Sequence, residues 1–388
     1  MSRSGPALSL DDYEALARCR LPRPLFAYVA GGTQDNLSLS GNRAAFNRID
    51  LVPRVLRDVG ERSPVVSLFG QEWSMPVGVA PVGLAAMMAY RGDEVLARAA
   101  AAERIPMMLS ATSLIPLEEI AAAAPGSWFQ AYLPTERDWI DAMLDRISSA
   151  GFPVLVLTVD LPVTGNREHL DRTGFTTPLR PTIRLLRDCA TRPRWLLGVF
   201  AKTLFRHGMP HFENSRASRG LPILAPNAER EFGGRDRLDW SAFDHIRRRW
   251  KGPLLIKGIL HPEDAKLAKT HGADGIIVSN HGGRQLDGAI APIEALPAVI
   301  DAVGDYPVMI DSGFRRGGDA LKALALGARL VFVGRPFLYA AAVGGENEIR
   351  RAIRIMREEI DRDMALLGVG RIEQLSRDYV RLRTQTSA

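Results

Sequence analysis

Cysteine is scarce in this chain: Cys19 and Cys189 are the only two among 388 residues. Two isolated cysteines make neither a disulfide framework nor a metal cluster, so a reducing compartment is the default and no metal site is expected. No stretch reaches the roughly 18 consecutive apolar residues of a membrane span, so the chain is not expected to cross a bilayer. Residues 1–20 contain no apolar h-region, which argues against a secretory signal. Low-complexity tracts are missing too. No G-x-G-x-x-G follows the first apolar run, which counts against an open dinucleotide-binding sheet.

What is there reads as globular: 46% hydrophobic and 24% charged residues. The net charge of +6, with a pI near 9.5, is unevenly spread. Residues 176–207 hold Arg180, Arg184, Arg187, Arg192, Arg194, Lys202 and Arg206 against Asp188 alone. That excess equals the excess of the whole chain, so the remainder is balanced and no nucleic-acid partner is expected.

Eight short apolar runs recur in order: Val77–Ala80, Met107–Ser110, Trp128–Tyr132, Val154–Asp160, Leu254–Lys257, Gly275–Asn280, Val308–Ser312 and Leu330–Gly334. They show little alternation, as strands buried on both faces do. Helical patterns separate them, among them Glu94–Glu103, Leu117–Ala123, Arg137–Ala150, Pro262–Thr270, Pro292–Ala302 and Gly318–Leu326. Eight βα units predict an α/β fold, a (β/α)8 TIM barrel over about 74–345 within a single domain, 1–388. Residues 1–70 are expected as a helical lead-in and 345–379 as one or two amphipathic helices. Residues 176–235 form a long insertion after strand four.

Active sites of such barrels sit at the C-terminal strand ends. There the chain offers Pro81 and Gly83, Ser110, Gln130 and Tyr132, Thr158 and Asp160, Lys257, Asn280 and His281, Asp311 to Arg315, then Gly334 and Arg335. His281 follows a buried run and precedes two glycines. Alone, it reads as a structural histidine. With Arg284 on the same loop it reads as a base beside a carboxylate-binding fork. Asp160 is positioned to stabilise an imidazolium, or is simply a turn residue before Pro162. Lys257, at the end of an apolar run, points into the barrel mouth or snorkels to the surface. The turns 311–318 and 334–336 lead into helices and carry arginines, as phosphate sites do.

The run SNHGGRQLDG at 279–288 resembles the active-site signature of the FMN-dependent L-2-hydroxy-acid oxidoreductases. The similarity extends through LPRPLFAYVAGG (21–32), SMPVGVAPVG (74–83), WFQAY (128–132), LTVD (157–160), IKG (256–258), DSGFRRG (311–317), ALALGA (323–328) and VGRPFLY (333–339). With RPRW (192–195) and RHGMP (206–210), it is nearest the membrane-associated mandelate dehydrogenase type. The resemblance implies FMN as cofactor and a homotetramer. It implies His281 as base helped by Asp160, and Arg284, Arg167 and Tyr28 on the substrate carboxylate. Tyr132 would contact the substrate hydroxyl, and Lys257 would sit by the flavin N1 and O2 edge. Ser110, Gln130, Thr158 and Ser279 would contact the ring system or ribityl chain. Asp311, Gly313, Arg315, Gly334 and Arg335 would bind the phosphate end. The main chain of Pro81, Val82 and Gly83 would face N5.

The expected reaction is oxidation of an L-2-hydroxy acid, mandelate- or lactate-like, to the 2-oxo acid. Whether His281 takes the α-hydrogen or the hydroxyl proton stays open. In the family, Gly at position 83 resembles the dehydrogenases and Ala the oxidases, which points to a quinone or other non-O2 acceptor over an oxidase making peroxide. The basic residues of 176–207 are interleaved with Trp195, Leu196, Leu197, Val199, Phe200, Leu204 and Phe205. That pattern predicts a patch on an anionic membrane surface, at the inner face of the cell membrane; the rival is a basic loop lying on a neighbouring subunit. Other rivals are a catalytically silent flavin-binding barrel and a phosphate-sugar isomerase. Thr112, Val29 and Val163 are expected around the substrate side chain.

Overall fold

The computed structural model describes residues 5–175, 182–225 and 234–383. Eight parallel strands form its centre: β1 Val77–Val79, β2 Met108–Ser110, β3 Trp128–Ala131, β4 Leu155–Thr158, β5 Leu254–Ile259, β6 Gly275–Val278, β7 Val308–Ile310 and β8 Leu330–Val333. Each strand from β2 to β8 pairs with the next, and β8 pairs with β1 through Val331–Val77 and Val333–Val79. One parallel bridge, Val79–Met107, closes the seam between β1 and β2. The result is a (β/α)8 barrel.

All eight strands lie within or across the expected runs, because their residues are buried on both faces. Only Gly258 of β5 departs from full burial. Most of the strands stop short of the expected ends: β4 at Thr158 rather than Asp160, β7 at Ile310 rather than Ser312. The residues beyond have left the ladder to form the barrel mouth. Inside, Gly78 lets the Phe332 ring approach; a Cβ at 78 would lie 2.6 Å from that ring. Phe332 in turn meets Trp128 edge-on at 5.7 Å.

The lead-in is helical only as far as Phe46: α1 Leu10–Arg20, α2 Arg23–Ala30 and α3 Leu37–Phe46. The strand Ile49–Leu51 then pairs antiparallel with Val380–Leu382, and Val66–Leu68 with Gln71–Trp73. Helix follows the turn at 334–336 as expected, over Arg335–Leu367, with a break at Gly344–Gly345 where the backbone is non-helical, so the helix expected from 345 starts there but ends at Leu367, short of 379.

In the insertion, helices cover Ile183–Ala190 and Lys202–His207. Arg180 and the side chain of Arg184 lie outside the described residues, as do 176–181 and 226–233. Trp195 does not belong to an interfacial face. It is buried, stacks on Phe200 at 5.7 Å, and donates its indole N–H to the Met87 carbonyl at 2.8 Å. A satisfied indole in an apolar niche has no reason to seek an interface. Ile183, Leu186, Leu197 and Phe205 are the exposed members, Phe205 at 93%. Among the described residues no helix is long and apolar enough to cross a membrane.

Candidate active site

The strand ends enclose a cavity of about 490 Å³. It is lined by Tyr28, Pro81, Val82, Gly83, Ser110, Tyr132, Thr158, Arg167, Lys257, His281, Arg284, Asp311, Gly313, Arg315, Gly334 and Arg335. Gln130, Ser279 and Asp160 stand directly behind this lining. Gln130 accepts from Ser110 at 3.2 Å, Ser279 accepts from Lys257 at 2.8 Å, and Asp160 holds His281.

His281 sits where β6 has ended, in a left-handed conformation with φ 58°. Such a backbone is uncommon outside glycine and is kept where the surroundings fix it. Here the Ser279 hydroxyl accepts its N–H at 2.9 Å. The loop then needs Gly283 (φ 71°), where a Cβ would lie 2.5 Å from the Leu39 nitrogen. The imidazole Nδ1 donates to Asp160 Oδ1 at 2.8 Å, which leaves Nε2 as an acceptor, 3.3 Å from the Tyr132 hydroxyl. Burial, with Lys257 and Arg167 nearby, holds the His281 pKa below its usual value despite the opposing pull of Asp160. Burial works against ionisation of Asp160, but His281 and Lys257 outweigh it and keep its pKa low. At neutral pH the pair is therefore a neutral imidazole backed by a carboxylate, the state of a general base.

Beside it stand two arginines. Arg284 donates to the carbonyls of Tyr28 (2.7 Å) and Gly31 (3.1 Å), with its guanidinium over the Tyr28 ring. Arg167 donates twice to the Arg284 carbonyl at 3.2 Å. Burial and the charge of Arg284 press the Arg167 pKa down to about 10. Two cations held together, with no acid between them among the described residues, form a site that gains from a bound carboxylate.

Deeper in, Lys257 Nζ lies 3.0 Å from Asp311 Oδ2. Burial would lower its pKa, but Asp311 and Asp160 raise it, so the ammonium is charged. Arg335 donates to the carbonyls of Val29, Gly282 and Gly31. Its pKa falls to about 9, through burial first and Arg284 second. Arg315 is likewise lowered, chiefly by burial. These arginines flank the starts of the helices at Gly317 and Arg335, an electropositive end suited to a phosphate. Two buried groups, Gln130 Nε2 and Thr158 Oγ1, have no hydrogen-bond partner among the described residues. A flat polar ring with a phosphate tail fits this donor set.

Several contributors carry no sequence signal. Arg235 and Phe212 reach the cavity from the insertion, and Leu161 and Thr164 also line it, whereas Ser312 lines it from within the expected 311–315 set. Asn42 on α3 and Asn280 exchange amide hydrogen bonds of 2.8 and 2.7 Å, clamping the lead-in to the signature loop. Thr112 and Val29 line the cavity as expected. Val163 does not; it is 68% exposed, on the turn after Pro162.

A family profile described as FMN-dependent dehydrogenase matches residues 17–382. An L-lactate dehydrogenase of Ectopseudomonas mendocina (strain ymp) is 42% identical over 374 residues, covering 95% of this chain and 97% of that protein. The solved monotopic membrane protein (S)-mandelate dehydrogenase superposes with a TM-score of 0.91 at 37% identity, covering 97% of this chain and 100% of that one. A mandelate oxidase structure gives a TM-score of 0.81 at 33% identity, covering 97% and 100%.

Proposed function

The chain belongs to the FMN-dependent dehydrogenases and is an FMN-dependent 2-hydroxy-acid oxidoreductase; from that premise we propose that it oxidises an L-2-hydroxy acid with His281 as base and passes the electrons to a quinone or another non-O2 acceptor. The observation that carries this reading is His281 Nε2, an acceptor 3.3 Å from Tyr132, backed by Asp160 on its other nitrogen.

FMN, when bound, supplies the two-electron acceptor. Pro81, Val82, Gly83, Ser110, Gln130, Thr158, Ser279 and Lys257 would hold its ring and ribityl portion. Asp311, Gly313, Arg315, Gly334 and Arg335 would serve its phosphate end. Arg284, Arg167 and Tyr28 take the substrate carboxylate, which fixes the reacting carbon. Tyr132 contacts the substrate hydroxyl. His281 Nε2 accepts the proton, and Asp160 stabilises the imidazolium that results. Lys257 keeps positive charge where electron density accumulates.

Membrane docking through the insertion is part of the proposal. Exposed Ile183, Leu186, Leu197 and Phe205 beside Arg187, Arg194, Lys202 and Arg206 support an anionic membrane surface as partner. The (S)-mandelate dehydrogenase neighbour is a monotopic membrane protein, which supports this docking further; a homotetramer at the inner face of the cell membrane is part of the same proposal.

The test is anaerobic bleaching of the bound flavin by L-lactate, L-mandelate and longer L-2-hydroxy acids, followed by reoxidation with air or a soluble quinone. Bleaching with fast quinone reoxidation and little peroxide is expected. Stoichiometric peroxide in air would instead make it an oxidase, the reading favoured by the mandelate oxidase neighbour.

A further inference from the structure

Two loops at the barrel mouth carry the proposed chemistry, 279–284 after β6 and 311–315 after β7. One residue of the lead-in, Asn42 on α3, stands between them. Its side-chain amide donates to Asn280 Oδ1 at 2.8 Å and accepts from Asn280 Nδ2 at 2.7 Å. Its main-chain carbonyl lies against Gly313, where a Cβ would sit 2.7 Å from that oxygen. The two asparagines are 2% and 5% exposed, so each amide has the other, and not bulk water, as its partner. A buried amide left unpaired is costly, and a fully paired one is rigid.

Asn280 is the residue next to His281, and its side chain closes the turn on which the proposed base sits. Asn280 Oδ1 also accepts the Gly283 N–H at 3.1 Å, and Nδ2 also donates to the Ile290 carbonyl at 3.3 Å. Within that turn His281 has φ 58°, a backbone that persists only where the surroundings over-determine it. The Asn280 amide supplies part of that constraint, and Asn42 makes the two shortest of its bonds. Arg284, at the far end of the loop, is fixed differently. Its guanidinium is held by the carbonyls of Tyr28 and Gly31, bonds in which Asn42 has no share.

We infer that Asn42 is a positioning residue for the base: through Asn280 it holds His281 where Nε2 meets the substrate, and it leaves carboxylate binding to Arg284 and Arg167. This role rests on the reading of His281 as base and adds a lead-in residue to that machinery. It predicts a split between turnover and substrate affinity that loss of fold alone does not produce.

The test measures FMN content, thermal melting and steady-state kinetics of the holoenzyme with L-lactate, L-mandelate and longer L-2-hydroxy acids. Asn42→Ala should keep its flavin, lower kcat by roughly 10²-fold and move KM by less than about threefold, the loss that a reacting group about 1 Å out of place brings. Asn42→Asp keeps the shape and the acceptor, and as a carboxylate it loses the donor, so its kcat should lie between those of Asn42→Ala and the wild type. If Asn42→Ala does not fold, Asn42→Asp decides by the same split. Combined with Asn280→Ala, Asn42→Ala should cost little beyond Asn280→Ala alone, as expected of residues that act through one another. A wild-type kcat per bound FMN in both Asn42 variants, with only the melting temperature or FMN content lowered, overturns the inference. So does a raised KM at unchanged kcat. Native flavin reduction in His281→Ala, or no reduction of the wild type by any of these acids, overturns the proposed function instead.

Discussion

Lys257 and Asp311 form an ion pair of 3.0 Å across β5 and the end of β7, with side-chain exposures of 3% and 9%. The family resemblance implies separate tasks for these residues, one at the flavin edge and one at the phosphate end. Structurally they are one unit, with Ser279 as a third member through its 2.8 Å bond to the ammonium. Removing one partner leaves a buried, uncompensated charge, at a cost of about 3–5 kcal/mol. Lys257→Met should lower stability by that order in urea unfolding. Adding Asp311→Asn should restore much of it. A double variant as unstable as the single one would show that the two residues are not coupled.

His281→Ala removes the acceptor nitrogen but none of the groups around the phosphate end. The variant should keep its flavin spectrum and lose substrate reduction by at least 10²–10⁴. Stopped-flow bleaching checks this. Near-native rates would end the assignment of His281 as base.

The pH profile should follow the imidazole. Its pKa lies below the usual 6.5, through burial first, and the reactive form is neutral. Activity should therefore hold through neutrality and fall only on the acid side of 6.5. Asp160 pulls that pKa upward, so Asp160→Asn should move the acid limb to lower pH. It should also lower kcat on the order of 10², because the imidazolium loses its counter-charge. A limb that moves to higher pH contradicts the arrangement.

Away from the site, Asp93 is fully buried at the start of the helix Gly92–Ala102, and burial lifts its pKa from 3.8 to about 7. A carboxyl raised in the folded state favours folding below the unfolded value and loses that contribution as pH rises through the folded one. The wild type should therefore lose stability relative to Asp93→Asn between pH 4 and 8. Parallel thermal melts across that range test it; a constant difference would mean that the carboxyl does not titrate there.

The exposed apolar residues of the insertion give a separable prediction. Wild-type protein should sediment with anionic vesicles, and Leu197→Ser with Phe205→Ser should stay in the supernatant with flavin still bound. These two positions are chosen because they are exposed at 68% and 93%, whereas Trp195 is a structural anchor whose loss would disturb Met87. Equal supernatant recovery of the wild type with and without vesicles removes the docking proposal.

The barrel was legible because its strands are buried on both faces, so their apolar runs stand out without alternation. The strand ends were legible as a site because His281 and Arg284 share one short loop. Other features depend on contacts distant in sequence. Nothing near Arg235 marks it as a neighbour of Tyr132, some hundred residues earlier. Trp195 looks interfacial by composition, and only the Met87 carbonyl decides otherwise. Val163 follows a strand end closely enough to suggest a pocket residue, yet the turn at Pro162 carries it to solvent.

The amide exchange between Asn42 and Asn280 joins positions 238 residues apart, and Arg43 reaches further still, to the Gly313 carbonyl and Asp319. At roughly 5–20 residues per second, synthesis separates the emergence of those partners by about ten to fifty seconds. Through that interval the lead-in helices have no loop to hold. Lys257, His281, Asp311 and Arg335 do not yet exist when α3 leaves the ribosome. FMN is thus a late ligand, one that stabilises a finished barrel and cannot guide the folding of its first half.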